Sequence, residues 1–122
     1  MPQRRITVYR MQAREPSASD VEIVLPGRGL QYDGKIVFLS PESCVLDTKC
    51  RLEPGTLVEV WMRTERMPLR VLANLVERRA TGVEFHFHEM TGRKMDQIET
   101  LRGELAQEAA RAQEKQLEKE RA

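Results

Sequence analysis

Two histidines and a glutamate recur at alternate positions late in the chain. Glu84, His86 and His88 alternate with Phe85 and Phe87, so a strand places the three polar side chains on one face. Imidazole and carboxylate groups are ligands of zinc, and this face is geometrically able to hold a divalent metal. The same alternation turns both phenylalanines inward and leaves the histidines facing water. We therefore predict a strand with a solvated polar face and no metal site.

A serine-containing turn is the second stretch that could do chemistry. It reads Ser40-Pro-Glu-Ser43 and separates two apolar runs. Pro41 removes a backbone donor and ends the first run. Serine hydroxyls in such a turn bond their own backbone or contact a ligand. We therefore expect any site to lie at this turn, and two alternatives remain for Ser40.

The first twenty residues are predicted to be a basic arm and a linker. Arg4, Arg5, Arg10 and Arg14 lie among polar residues, and residues 15–20 contain nothing to bury. Nowhere does the sequence show a nucleophile elbow, a glycine-rich phosphate loop before a helix, or a paired acid and base with a third orienting group. We predict that the protein is not an enzyme and needs no cofactor.

Length and charge limit the function classes. The 122 residues suggest a single domain, and 20 Lys and Arg against 19 Asp and Glu give a net charge of +1. Such a balance attracts neither a nucleic-acid polymer nor a membrane surface. The sequence has no signal-peptide pattern or long apolar run, which predicts a cytoplasmic protein. Cys44 and Cys50 have no CxxC partner, and we expect reduced packing residues.

Six short apolar or alternating runs predict six β-strands. Gly34 opens the central pair, which the Ser-Pro-Glu-Ser turn joins, and turn signals separate the other runs. The regular spacing is typical of an antiparallel barrel or sandwich. The predicted strands are Val21–Leu25, Ile36–Leu39, Cys44–Leu46, Leu57–Met62, Leu69–Val76 and Gly82–His88.

From Thr91 the apolar period changes to that of a helix running toward the C-terminus. Its predicted apolar stripe consists of Met95, Ile98, Leu101, Leu105, Ala109 and Ala112. Beyond Leu105 the stripe thins to alanine, so we predict a barrel with the packed helix start over residues 21–105 and a charged helical extension over 106–122. A helix of roughly 28 residues is about 42 Å long and must overhang the barrel. The overhang is either a solvated single helix or one strand of a short coiled coil.

The arginine arm, the six strands, the turn after the second strand and the terminal helix together resemble the PilZ domain, a bacterial receptor module for cyclic di-GMP. The best matches are Leu52-Glu-Pro-Gly55, leading into residues 57–60, and Thr81-Gly-Val-Glu-Phe85. The similarity spans roughly residues 10–105. It implies a mainly β fold, a six-stranded antiparallel PilZ-like β-barrel with a long C-terminal α-helix.

PilZ receptors carry two ligand motifs, and the resemblance places both in this chain. The first, Arg-x-x-x-Arg, is present as Arg10 and Arg14. The second, Asp/Asn-x-Ser-x-x-Gly, keeps Ser40 but has Phe38 at the acidic or amide position and Ser43 at the glycine. The implied nucleotide-binding residues are therefore Arg10, Arg14, Ser40 and Ser43.

The chemistry of these residues shows what each departure affects. Arginine pairs bidentately with phosphate or with guanine O6 and N7, and it stacks on bases. Phe38 has no acceptor for the guanine N–H donors, which leaves a buried edge unpaired at a cost of about 1–3 kcal/mol. Ser43 adds a Cβ where the motif has only hydrogen.

The resemblance implies a signalling module that binds cyclic di-GMP. The alternative is a PilZ-like adaptor that binds no nucleotide and acts through its C-terminal helix, by self-association or by docking a protein partner. A barrel that binds oligonucleotides is disfavoured, because such a barrel has its helix between strands and a continuous basic stripe.

Overall fold

Alternating side chains along six segments build the wall of a closed β-barrel. The computed structural model describes residues 17–64 and 68–121. The strands are β1 (Asp20–Val24), β2 (Gln31–Leu39), β3 (Ser43–Thr48), β4 (Leu57–Arg63), β5 (Pro68–Arg79) and β6 (Gly82–His88). They pair in the order β1-β2-β3-β6-β5-β4, every pair is antiparallel, and β4 pairs with β1. The prediction of a mainly β, six-stranded antiparallel barrel is confirmed, and the sandwich is excluded.

The inner face of the barrel is filled by the residues that the period-two pattern predicts. Val58, Val60 and Met62 of β4 are buried, whereas Leu57 and Trp61 on its other face are exposed. In β6, Val83 and Phe85 are buried as predicted, and Phe87 is half-buried. The alternation of polar and apolar residues thus selects the inner face strand by strand.

Strands β2 and β5 extend furthest beyond their predicted bounds. β2 begins at Gln31, three residues before Gly34, because Gln31 to Asp33 continue the pairing with β1. β5 continues to Arg79, three residues past its predicted end at Val76. Arg79 pairs with Gly82 across that turn, which shortens the connection to two residues. Backbone pairing with a neighbour extends both strands into polar sequence.

A β-bulge interrupts the second strand. The register of β2 against β3 shifts between Ile36 and Phe38, so Val37 is the extra residue. On either side of the bulge a side chain still points into the barrel: Ile36 packs against the core, and Leu39 is buried. Val37 and Phe38 both lie on the outer face and are 52% and 53% exposed. The bulge therefore places two consecutive apolar side chains outside the barrel.

The C-terminal helix α1 (Gly92–Arg121) follows β6 directly. Thr91 is its N-cap, since its Oγ1 accepts a hydrogen bond from the Lys94 amide at 3.1 Å. Ile98 and Leu101 are buried against the barrel, as the stripe predicts. Met95 is wrongly assigned to the packed stripe, because it is 41% exposed. Across the described residues, no helix is both long and apolar enough to cross a membrane.

The remaining stripe positions lie on the part of α1 that extends along and beyond the barrel. Leu105 is half-buried against the core, whereas Ala109 and Ala112 are exposed. Only about the first half of the helix packs, because the barrel is shorter than the helix.

Both cysteines are buried and free. Burial raises the pKa of the Cys44 thiol, and the negative charge of Glu84 raises it further. The prediction that Cys44 and Cys50 are reduced packing residues is confirmed. A thiol held in its neutral form is a poor nucleophile and a poor metal ligand.

Candidate ligand-binding groove

A groove of about 560 Å³ lies between the outer face of β2 and the helix. Val37 and Phe38 form the wall contributed by the barrel. Leu105, Ala109 and Ala112 form the wall contributed by α1. The side chains on both walls are largely apolar, and those of Val37 and Phe38 are more than half exposed. We call this depression the β2–α1 groove.

The N-terminal segment enters the barrel at the rim of this groove. Ser17 Oγ and the Ala18 amide donate hydrogen bonds to the two carboxylate oxygens of Glu108, at 2.8 and 2.7 Å. The Ser19 carbonyl accepts a hydrogen bond from the Ile36 amide at 2.8 Å. Ser19 and Glu108 both line the groove. Ser17, the first described residue, is therefore held at the groove by Glu108.

The Ser40–Ser43 turn is held by its own hydroxyl groups. Ser40 Oγ accepts hydrogen bonds from the amides of Glu42 and Ser43, at 3.3 and 3.1 Å. The hydroxyls of Ser40 and Ser43 lie 3.2 Å apart, and the Ser40 amide donates to the Ser43 carbonyl at 2.9 Å. Of the two alternatives for Ser40, the structure shows hydrogen bonds within its own turn. A ligand at this turn must share or displace those hydrogen bonds.

The four residues implied by the two ligand motifs are only partly described. Arg10 and Arg14 lie outside the described residues. Ser40 and Ser43 are neighbours at the turn that follows β2, and both are half-buried. Phe38, at the acidic or amide position, is on the outer face of β2 and lines the β2–α1 groove.

The groove itself was not anticipated from the sequence. The helical pattern places Leu105 on the packed face and Glu108 in the charged extension over residues 106–122. The consecutive apolar pair Val37 and Phe38 is a weak signal for an exposed patch, because alternation allows only one of them inside. What the sequence cannot show is that the bulge places both outside, next to α1.

The outer face of β6 carries a charged hydrogen-bond network. Glu84 accepts hydrogen bonds from Nε2 of His86 at 2.8 Å and from the guanidinium of Arg79. The hydrogen bond from His86, followed by the charge of Arg79, lowers the pKa of Glu84 below its ordinary value, although partial burial opposes them. His88 bonds instead to Oδ1 of Asn74. The two histidines thus have separate partners.

Metal binding on this face has little geometric support. Within residues 17–64 and 68–121, no three His, Cys, Asp or Glu side chains are arranged to hold a metal ion. His86 and His88 each hydrogen-bond a different side chain. The side chains that could bind a metal are hydrogen-bonded to neighbouring side chains instead.

Trp61 lies in a second surface cluster on β4 and β5. The Arg70 guanidinium is 5.5 Å from the centroid of the Trp61 ring, which is a cation–π distance. The indole Nε1 donates to Glu59 at 3.2 Å, and Arg70 and Glu59 approach to 3.8 Å. The exposed tryptophan thus has partners within the barrel surface.

Comparisons of the whole chain with protein-family models, curated proteins and solved structures find no match. The PilZ resemblance accordingly depends on the residue pattern of the sequence.

Proposed function

We propose that this chain is a PilZ-like binding module whose ligand surface lies at the end of β2. The ligand suggested by the two motifs is cyclic di-GMP. The observation that carries the proposal is the position of Phe38, which stands at the acceptor position of the motif. Phe38 lies outside the barrel and lines the β2–α1 groove. At the rim of this groove, Glu108 holds Ser17, which follows the arginine arm in the sequence.

The distances along the chain are compatible with an arm that reaches this surface. Arg14 precedes Ser17 by three residues, which an extended chain spans with about 10–11 Å. Ser40 follows Ile36 by four residues along β2, about 13 Å, and Ile36 bonds to Ser19. In the proposed complex the guanidinium groups of Arg10 and Arg14 bind the phosphates and a guanine edge.

The departures from the motif set the expected affinity. Phe38 lacks the acceptor, although its exposed ring offers a face on which a base can stack. The hydroxyls of Ser40 and Ser43 are engaged in the turn. Loss of one buried hydrogen-bond partner costs about 1–3 kcal/mol, or one to two orders of magnitude in Kd. We therefore expect weaker binding than an intact motif would give.

Isothermal titration with cyclic di-GMP tests the proposal. We expect micromolar binding that Arg10→Ala and Arg14→Ala each abolish, whereas Arg51→Ala, exposed on the connection after β3, leaves it unchanged. The double variant Phe38→Asp, Ser43→Gly restores both motif positions and is expected to tighten binding at least tenfold. Absence of binding in the parent chain and in this double variant contradicts the assignment.

A second candidate function is that of an adaptor which binds no nucleotide and self-associates through α1. The observation in its favour is the helix beyond the barrel, where Leu117 is 49% exposed. This function predicts a mass in solution above the 14.1 kDa of one chain, and the mass of a single shortened chain when residues 113–122 are deleted. Light scattering measures both. A parent chain that is monomeric at high concentration excludes self-association.

A further inference from the structure

The β2–α1 groove leaves apolar surface exposed on both of its walls. Val37 and Phe38 are more than half exposed, and the exposed Ala109 and Ala112 line the same groove from the helix. Apolar side chains grouped around one depression offer a surface on which another apolar segment can pack. The described residues contain no segment that lies over it.

The chain itself supplies an occupant at the right place. Glu108 holds Ser17 and Ala18 at the rim, and sixteen further residues precede Ser17. Among them, Ile6, Val8 and Met11 are apolar residues between the arginines. Met11 is six residues from Ser17, a span of up to about 20 Å. The groove wall from Glu108 to Ala112 is only about 6 Å long, because a helix rises about 1.5 Å per residue. The segment before Ser17 is therefore long enough to reach across it.

A tethered segment also has an advantage over a separate molecule. A short linker gives the attached segment an effective concentration in the millimolar range, so even modest apolar contact is enough for docking. A second copy of the chain has no such advantage at micromolar concentration.

We propose that residues 6–11 of the same chain dock in the β2–α1 groove, with Val8 and Met11 covering Phe38. Phe38, where the motif has a polar acceptor, serves in this arrangement as an apolar anchor for the arm. The docking is a property of the chain without nucleotide, so it can be tested whether or not cyclic di-GMP binds. A base that stacks on the Phe38 ring would have to displace Val8 and Met11.

Nuclear magnetic resonance of the full-length chain without nucleotide tests this docking. We expect nuclear Overhauser effects between the side chains of Val8 or Met11 and the ring of Phe38. The amides of residues 6–11 are expected to exchange at least tenfold more slowly than in an unstructured peptide. Both signals should be lost in Phe38→Ser, which changes an exposed side chain and leaves the core intact. The matched control is Leu57→Ser, which alters an equally exposed residue outside the groove and should preserve both.

Three outcomes overturn the proposal. The first is exchange of residues 6–11 at the unprotected rate with no contacts to Phe38. The second is protection that survives Phe38→Ser. The third is contacts that, in a mixture of labelled and unlabelled chains, prove to be between molecules, which assigns the groove to a second copy.

Discussion

At the scale of single residues, one inserted amino acid decides what the outer face of β2 presents. Without the bulge at Val37, strict alternation would turn one of Val37 and Phe38 toward the core. With it, both lie outside and Leu39 still packs inside. The surface at the motif position is therefore apolar and continuous with the helix.

Gly82 is the glycine whose replacement is expected to be most harmful. Its φ is +152°, and an added Cβ would lie 2.6 Å from the Leu46 carbonyl oxygen. Because that neighbour is backbone in a paired strand, we expect Gly82→Ala to lower the free energy of unfolding by about 2–4 kcal/mol. Gly103→Ala is the matched control: no atom lies within 4 Å of the new Cβ, and the helix should gain about 0.5–1 kcal/mol. Urea denaturation measures both, and equal effects would contradict the structural assignment.

Glu84 predicts a pH dependence of stability. Its pKa is lowered from the ordinary 4.5 by the hydrogen bond from His86 and the charge of Arg79. The unfolded chain therefore takes up the proton more readily, so the stabilisation is complete above about pH 4.5 and is lost as pH falls through the native pKa. Between about pH 5 and 3, the unfolding free energy of Glu84→Gln should fall less steeply than that of the parent.

The control for this titration is Glu118→Gln, on the exposed part of α1. If Glu84→Gln and the parent have parallel profiles, the network on β6 does not hold the carboxylate in its charged form.

At the scale of elements, α1 consists of two parts with different environments. Ile98 and Leu101 are fully buried, whereas from Ala109 to Glu120 every residue is exposed. Between them, Glu108 ties the helix to the N-terminal segment. The same helix thus packs on the barrel, holds the entry of the chain and projects into solvent.

Leu101 and Leu117 provide a direct comparison of these two parts. Leu101→Ala should lower the free energy of unfolding by about 2–4 kcal/mol, because it leaves a cavity between the helix and the barrel. Leu117→Ala, at a position 49% exposed, should change it by less than about 0.5 kcal/mol. Thermal and urea unfolding of the two variants measure the difference. Similar losses would mean that the second part of α1 is packed in solution.

At the scale of the whole molecule, closure of the barrel determines which surfaces remain for binding. Pairing of β4 with β1 completes the ring, so each strand has two hydrogen-bonded neighbours. Binding by addition of a strand to a free edge is thereby disfavoured. The remaining surfaces are side-chain surfaces, and the β2–α1 groove is an apolar one that two elements build together.

Deletion of residues 113–122 tests whether the projecting helix belongs to the folded unit. Its exposed residues make no packing contribution to the barrel, so we expect the free energy of unfolding of the monomer to change by less than about 1 kcal/mol. Circular dichroism should lose helical signal from about ten residues. A loss of several kcal/mol that grows with protein concentration would instead indicate that the extension stabilises an oligomer.

The fold was largely predictable because it depends on repeated local patterns. Residues such as Val58, Val60 and Met62 recur at period two, and Ile98 and Leu101 at the helical period. In each strand or helix, the period identifies the side chains that face the core. The ends of strands were less predictable: Arg79 is a polar residue that a turn would accept equally well, and only its pairing with Gly82 extends β5.

The candidate site was predictable in part. Ser40 and Ser43 could be found from turn chemistry, and the structure brings their hydroxyls together. Arg10 and Arg14 lie outside the described residues, so their role stays a prediction. The groove formed by Phe38 and the helix was not predictable, because its walls are about seventy positions apart in the sequence.

The sequence by itself determined the number and type of the elements, the inner face of most strands, the start of the helix and the turn at Ser40. Those features follow from interactions between residues close along the chain, which composition and period encode. Only the tertiary structure decided that the strands close into a barrel, that the bulge exposes Phe38, and that Glu108 brings the N-terminal segment to the same groove. Each of these depends on contacts between distant residues, whose geometry is fixed only when the whole chain has packed.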